Sequence, residues 1–143
     1  MAEPIRVLLV DDQSLVRSGF RMLIDSEDDM AVVGEASNGA EALEKLRTIE
    51  VDVALMDIRM PVMDGVETTR RIAASSLPTK VMILTTFDLD EYVYAALKAG
   101  ASGFLLKDAR PAELLSAIRS VADGEAGVAP AATKRLLDHV VPT

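Results

Sequence analysis

Five short, mostly β-branched apolar runs, each followed by a helical pattern, most tightly limit what this chain can become. The runs fall at residues 5–10, 31–36, 51–56, 80–85 and 103–106, and each reads as a strand. Leu15, Val16, Phe20, Leu23 and Ile24 form one helical stripe, and Ala42, Leu43 and Leu46 form a second. A third helix is expected over residues 64–75 and a fourth over 90–99, the latter ended by Gly100 as a C-cap residue. A fifth opens at Pro111, a residue suited to the first helical position, and carries Leu114, Leu115, Ile118, Val121 and Ala122 on one face. Asp123-Gly124 closes it. Strands that alternate with helices imply right-handed crossovers and a doubly wound α/β fold with a parallel sheet covered on both faces. In such sheets ligands bind beyond the carboxyl ends of the strands, so those ends are where chemistry is expected.

The chain has 143 residues, of which half are hydrophobic and only 3% aromatic, so its core must be built from Val, Leu, Ile, Ala and Met. That suits one compact domain, expected at residues 1–124. Residues 125–143 read as an interdomain linker with one possible short helix carrying Leu136, Leu137 and Val140. The absence of cysteine excludes disulfides and thiolate metal sites and agrees with a cytoplasmic setting. The first apolar run is far too short for a membrane span or a signal-peptide core. A net charge of −8 opposes attraction to phosphate backbones, so protein or small-molecule partners are expected rather than DNA.

Asp11 and Asp12 end the first strand, Asp57 the third, Thr85 the fourth and Lys107 the fifth. Alone, each aspartate reads as a helix cap and Lys107 as a solvated charge. Together, at matching strand ends, they read as one site. Three adjacent carboxylates repel unless a cation neutralises them, and oxygen-only ligands favour a hard ion such as Mg²⁺, with Mn²⁺ as a substitute. Phosphoryl transfer to a carboxylate needs a nucleophile, a metal, and cationic or donor groups on the remaining oxygens. Asp57 supplies the nucleophile and a metal ligand. Asp11 and Asp12 ligate directly or through water, the main-chain carbonyl of Arg59 completes the shell, Lys107 is the cation and Thr85 the hydroxyl donor.

The phrases Val-Leu-Leu-Val-Asp-Asp at 7–12, Leu-Met-Asp-Ile-Arg-Met-Pro-Val-Met-Asp-Gly at 55–65, Leu-Thr-Thr-Phe at 84–87 and Gly-Phe-Leu-Leu-Lys-Asp at 103–108 resemble the receiver domain of two-component response regulators. The likeness runs from about Ile5 to Asp123. It implies a flavodoxin-like (βα)5 sheet of order 2-1-3-4-5, phosphotransfer from a sensor histidine kinase to Asp57, and self-hydrolysis that resets the signal. Arg17, Asn38-Gly39 with Glu41-Ala42, Leu105-Leu106-Lys107-Asp108 and the run after Pro130 are similar to NarL/FixJ-type regulators. These carry a C-terminal LuxR-type helix-turn-helix, so the chain is expected to be truncated before it; DNA would be reached only through that segment. The family also implies kinase docking on the first helix, around Ser14, Arg17, Ser18 and Arg21, and homodimerisation on phosphorylation. The fourth helix, fifth strand and fifth helix are candidate dimer surfaces.

Two positions depart from the family pattern. Phe104 stands where many receivers have a Tyr that swings inward after the threonine moves, so Thr85 and Phe104 are the expected switch pair. Asp108 stands where some receivers have a proline supporting a cis peptide, a geometry that costs about 2.5–4 kcal/mol without proline. Pro61 and Gly65 are expected to shape the loop after Asp57, and Asp64 to cap the third helix rather than bind metal. Arg59 and Phe87 are expected at the pocket mouth, limiting the approach of water, and His139 is expected to be solvated.

Other classes fit less well. A phosphohydrolase acting through an aspartyl-phosphate would need a further acid or base, yet the residue two beyond Asp57 is Arg59; the only reactions expected are on the chain itself. An FMN carrier would need a Ser/Thr/Gly-rich phosphate loop after the first strand, which Gln13-Ser14-Leu15 does not supply, so no organic cofactor is expected. A stand-alone receiver or a phosphorylation-independent interaction module is the remaining alternative.

Overall fold

The computed structural model describes residues 3–86 and 91–124. Five strands, β1 (Ile5–Val10), β2 (Met30–Ala36), β3 (Val53–Asp57), β4 (Lys80–Thr85) and β5 (Gly103–Leu106), alternate with five helices. The helices are α1 (Ser14–Asp25), α2 (Gly39–Leu46), α3 (Gly65–Ala74), α4 (Glu91–Ala99) and α5 (Pro111–Ala122). All strand pairs are parallel, in the order β2-β1-β3-β4-β5. The doubly wound α/β expectation holds.

Side chains alternate across the sheet, so each strand feeds two cores. Leu8, Val10, Ala54, Met56, Ile83 and Phe104 pack with residues of α2, α3 and α4. Val7, Leu9, Val53, Leu55, Met82, Leu84 and Leu105 pack with Ile24 of α1 and with Leu114, Ile118 and Val121 of α5. Phe104 is fully buried. No helix among the described residues is long and apolar enough to cross a membrane.

The helix ends follow local chemistry. Asp64 accepts from the Glu67 N–H at 2.9 Å and caps α3, as expected. Gly100, at φ +120°, closes α4 while the Ala101 N–H reaches back to the Ala96 carbonyl. β3 begins two residues later than the apolar run, because the chain bends at Asp52, whose carboxylate takes the Arg6 N–H at 2.8 Å. The predicted linker and its helix, Phe87, His139 and the start of the fourth helix at Asp90 lie outside the described residues.

Candidate functional site

Parallel pairing in register brings the strand ends together. β1 and β3 lie side by side, with Val10 opposite Met56, so Asp11 and Asp57 emerge next to one another. Asp57 pairs with Leu84 on β4, one residue before Thr85. Thr85 pairs with Leu106, and the Lys107 N–H donates to the Thr85 carbonyl at 2.8 Å, which sets the fifth strand end against the fourth. A cavity of about 240 Å³ opens here, lined by Asp12, Asp57, Arg59, Thr85, Thr86 and Lys107 among others.

Oxygen atoms of Asp11, Asp12 and Asp57 all lie within 4.8 Å of one another. Asp11 and Asp57 are buried and Asp12 is exposed. The Lys107 ammonium stands 3.0 Å from Asp11 Oδ2 and 3.3 Å from Asp57 Oδ1. Asp11 Oδ1 accepts from the Gln13 N–H at 2.9 Å, whereas Asp11 Oδ2 is buried without a well-directed hydrogen bond, its nearest cation being the Lys107 ammonium. Burial pushes the Asp57 carboxyl above the usual aspartate range, and the neighbouring Asp11 charge pushes the same way. Lys107 and the Arg59 N–H oppose that rise without cancelling it. Burial alone would lower the Lys107 ammonium, but Asp11 and Asp57 outweigh it and hold it above the usual lysine range.

Three carboxylates against one ammonium, with one buried oxygen lacking a directed bond, suit a hard divalent cation held by oxygen ligands. The donor set and that orphaned atom therefore fit Mg²⁺. A carboxylate at the rim of an open cleft, backed by a cation, can also act as a nucleophile toward a phosphoryl group.

Other expected residues take definite places. Thr85 is 1% exposed and lies beside the cleft, while Phe104 points into the core on the α4 side. Arg59 is exposed on the cleft wall, and its guanidinium lies 4.7 Å from the centre of the Tyr92 ring of α4. The Lys107–Asp108 peptide is trans, since no cis bond occurs among the described residues. In the loop after Asp57, Val62 sits at φ +70° while the Met63 N–H donates to the Pro61 carbonyl at 2.7 Å, a tight turn.

Two features were not legible beforehand. Arg17 and Arg21 turn onto Glu35 of β2, with Nε atoms 2.9 Å and 2.7 Å from its two oxygens. Arg17 Nη1 also donates to the Asp11 carbonyl at 2.5 Å. Glu35 carries no motif signal, and only the pairing of β1 with β2 puts it beside α1.

Residues 7–119 match the family described as the response regulator receiver domain. The chain is 48% identical over 124 residues to the uncharacterized transcriptional regulatory protein YxjL of Bacillus subtilis, covering 87% of this chain and 57% of that protein. It is 40% identical over 131 residues to the nitrate/nitrite response regulator NarL of Escherichia coli, covering 92% of this chain and 61% of NarL. The chain thus spans about three-fifths of the length of these curated relatives. Among solved structures, the receiver domain of NarL from Mycobacterium tuberculosis superposes with a TM-score of 0.83 at 40% identity, over 87% of this chain and all of that one.

Proposed function

Because the chain belongs to the response regulator receiver domain family, we propose that it accepts a phosphoryl group on Asp57 from the histidine of a sensor kinase. The observation that carries this reading is the Asp11, Asp12 and Asp57 cluster with Lys107 spanning two of its members. An Asp57 carboxylate oxygen forms the new bond to phosphorus as the bond from phosphorus to the histidine nitrogen breaks, and the histidine keeps the electron pair. Asp11, Asp12 and Asp57, with the Arg59 carbonyl, would hold Mg²⁺. When bound, the ion supplies neutralising charge for the carboxylates and the phosphoryl oxygens. Lys107 already faces Asp57 and Asp11, so it needs little movement to follow charge as it shifts onto the transferred group. Thr85 supplies a hydroxyl donor from the end of β4, and its movement toward the modified Asp57 opens space next to Phe104.

Water later attacks the acyl phosphate, which regenerates Asp57 and releases inorganic phosphate; no external substrate is turned over. Arg59 stands on the cleft wall, where its bulk restricts that water. Phosphorylation promotes homodimerisation. The relatives named as transcriptional regulators motivate extending the output to gene control, through a DNA-binding segment of a longer regulator and in a cytoplasmic setting. On α1, the exposed Leu15, Ser18 and Met22 are the groups we assign to kinase docking, because Arg17 and Arg21 are engaged by Glu35.

The test is intact mass after incubation with Mg²⁺ and acetyl phosphate, on wild type and Asp57→Asn in parallel. A labile adduct on wild type alone is expected. An adduct on both proteins, or on neither, would overturn the assignment of Asp57.

A further inference from the structure

We infer that Arg17 is a positioning residue for the acidic site: anchored by Glu35, it fixes the peptide plane between Asp11 and Asp12. The inference rests on the metal-dependent reading above and goes beyond it, since Arg17 touches neither the cleft nor any of the three carboxylates.

The geometry is a chain of directed contacts. A guanidinium presents several N–H groups in one rigid plane, so bonding two acceptors in different directions fixes its orientation. Arg17 uses Nε for Glu35 Oε1 at 2.9 Å and Nη1 for the Asp11 carbonyl at 2.5 Å. The second Glu35 oxygen is occupied by Arg21 Nε at 2.7 Å, so the anchoring carboxylate cannot turn away. Glu35 sits on β2, where it pairs with Leu9 of β1, and is thereby carried by the sheet itself.

Asp11 is held from the other sides as well. Its N–H donates to the Ala36 carbonyl at 3.0 Å, and its Oδ1 accepts from the Gln13 N–H at 2.9 Å. With the carbonyl taken by Arg17, only Asp11 Oδ2 is left without a directed bond, and it faces Lys107 at 3.0 Å. The Asp11 carbonyl belongs to the amide that leads into Asp12, so rotating that amide would swing the Asp12 side chain relative to Asp57. An ion pair that merely tied α1 to β2 would need the Arg17–Glu35 contact but not the bond to Asp11.

The test compares Mn²⁺ binding, read from free Mn²⁺ by electron spin resonance, for wild type, Arg17→Ala, Arg17→Lys and Asp12→Asn, with urea midpoints taken in EDTA. Groups that orient metal ligands are worth about 10–100-fold in affinity, so Arg17→Ala should weaken Mn²⁺ binding about tenfold. Arg17→Lys keeps the charge but cannot bond Asp11 and Glu35 from one rigid fork, and it should weaken binding similarly; it also carries the test if Arg17→Ala fails to fold. Phosphorylation by acetyl phosphate should slow in both variants at limiting Mg²⁺ and recover at saturating Mg²⁺. Unchanged Mn²⁺ affinity in Arg17→Ala, whatever its urea midpoint, would overturn the inference, as would full rescue by Lys, which would reduce the role to charge. Wild-type affinity in Asp12→Asn would instead sink the metal reading itself, and this inference with it.

Discussion

A Cβ on Gly65 would fall 2.6 Å from the main-chain carbonyl oxygen of Asp57. The next contact is the Ile58 Cα at 2.9 Å, so both obstacles are backbone and neither can rotate aside. The Gly65 N–H also donates to the Ile58 carbonyl at 2.9 Å, tying the start of α3 to the end of β3. Gly65→Ala must therefore push α3 off the strand that carries Asp57. Overpacking of this kind costs about 1–3 kcal/mol. A lowered urea midpoint and a slower acetyl phosphate reaction are expected together; a midpoint equal to wild type would show that the contact is not rigid.

Asp57→Asn should stabilise the metal-free protein at neutral pH. Burial, followed by the Asp11 charge, raises the Asp57 carboxyl in the folded chain above its unfolded value. Such a group contributes stability that is full below the unfolded value, about 3.9, and is lost as pH rises through the folded one. Asparagine carries no such loss. Thermal melts in EDTA should place the variant above wild type at pH 7, with the gap closing toward pH 4. Mg²⁺ should raise the wild type selectively and reverse the order. Equal melting temperatures across that range would refute the electrostatic account.

Lys107→Met keeps the length of the side chain and removes the ammonium that faces Asp11 at 3.0 Å and Asp57 at 3.3 Å. The Asp57 carboxyl should climb further, because Lys107 is one of the groups that lower it. Phosphorylation should slow about 100-fold, the usual scale for loss of one electrostatic donor. Mn²⁺ affinity should hold or rise, because a competing cation is gone. A parallel fall in Mn²⁺ affinity would mean that Lys107 organises the carboxylates instead of serving the transferred group.

Asp64→Ala separates the capping aspartate from the acidic cluster. Its carboxylate accepts from the Glu67 N–H, and removing a cap of this type costs about 1 kcal/mol. The urea midpoint should drop accordingly while Mn²⁺ affinity stays at the wild-type value. Weakened Mn²⁺ binding would place Asp64 in the metal shell after all.

Much of this was legible in residue order, because strand ends in a parallel sheet are fixed by short-range patterning. Asp57 closes a fully buried run, Pro111 opens α5, and Gly100 adopts the positive φ that a helix terminus at Ala99 calls for. What stayed hidden depends on pairings between distant segments. Arg17 and Arg21 carried only a family-implied docking role in the sequence, and only the β1–β2 pairing delivers Glu35 to them. Arg59 resting on Tyr92 likewise needs α4 to pack beside the loop after β3. Val62 runs against its own chemistry, since a β-branched residue disfavours positive φ and gives no turn signal.

Within β5, Phe104 drops to the α4 side and Leu105 to the α5 side. The sheet thus acts as a bulkhead between two separately sealed compartments. Side chains behind α4 can rearrange without unloading the packing behind α1 and α5, because no single apolar residue in the sheet serves both. The two faces of this small sheet are filled by separate sets of side chains, one against α2, α3 and α4 and the other against α1 and α5.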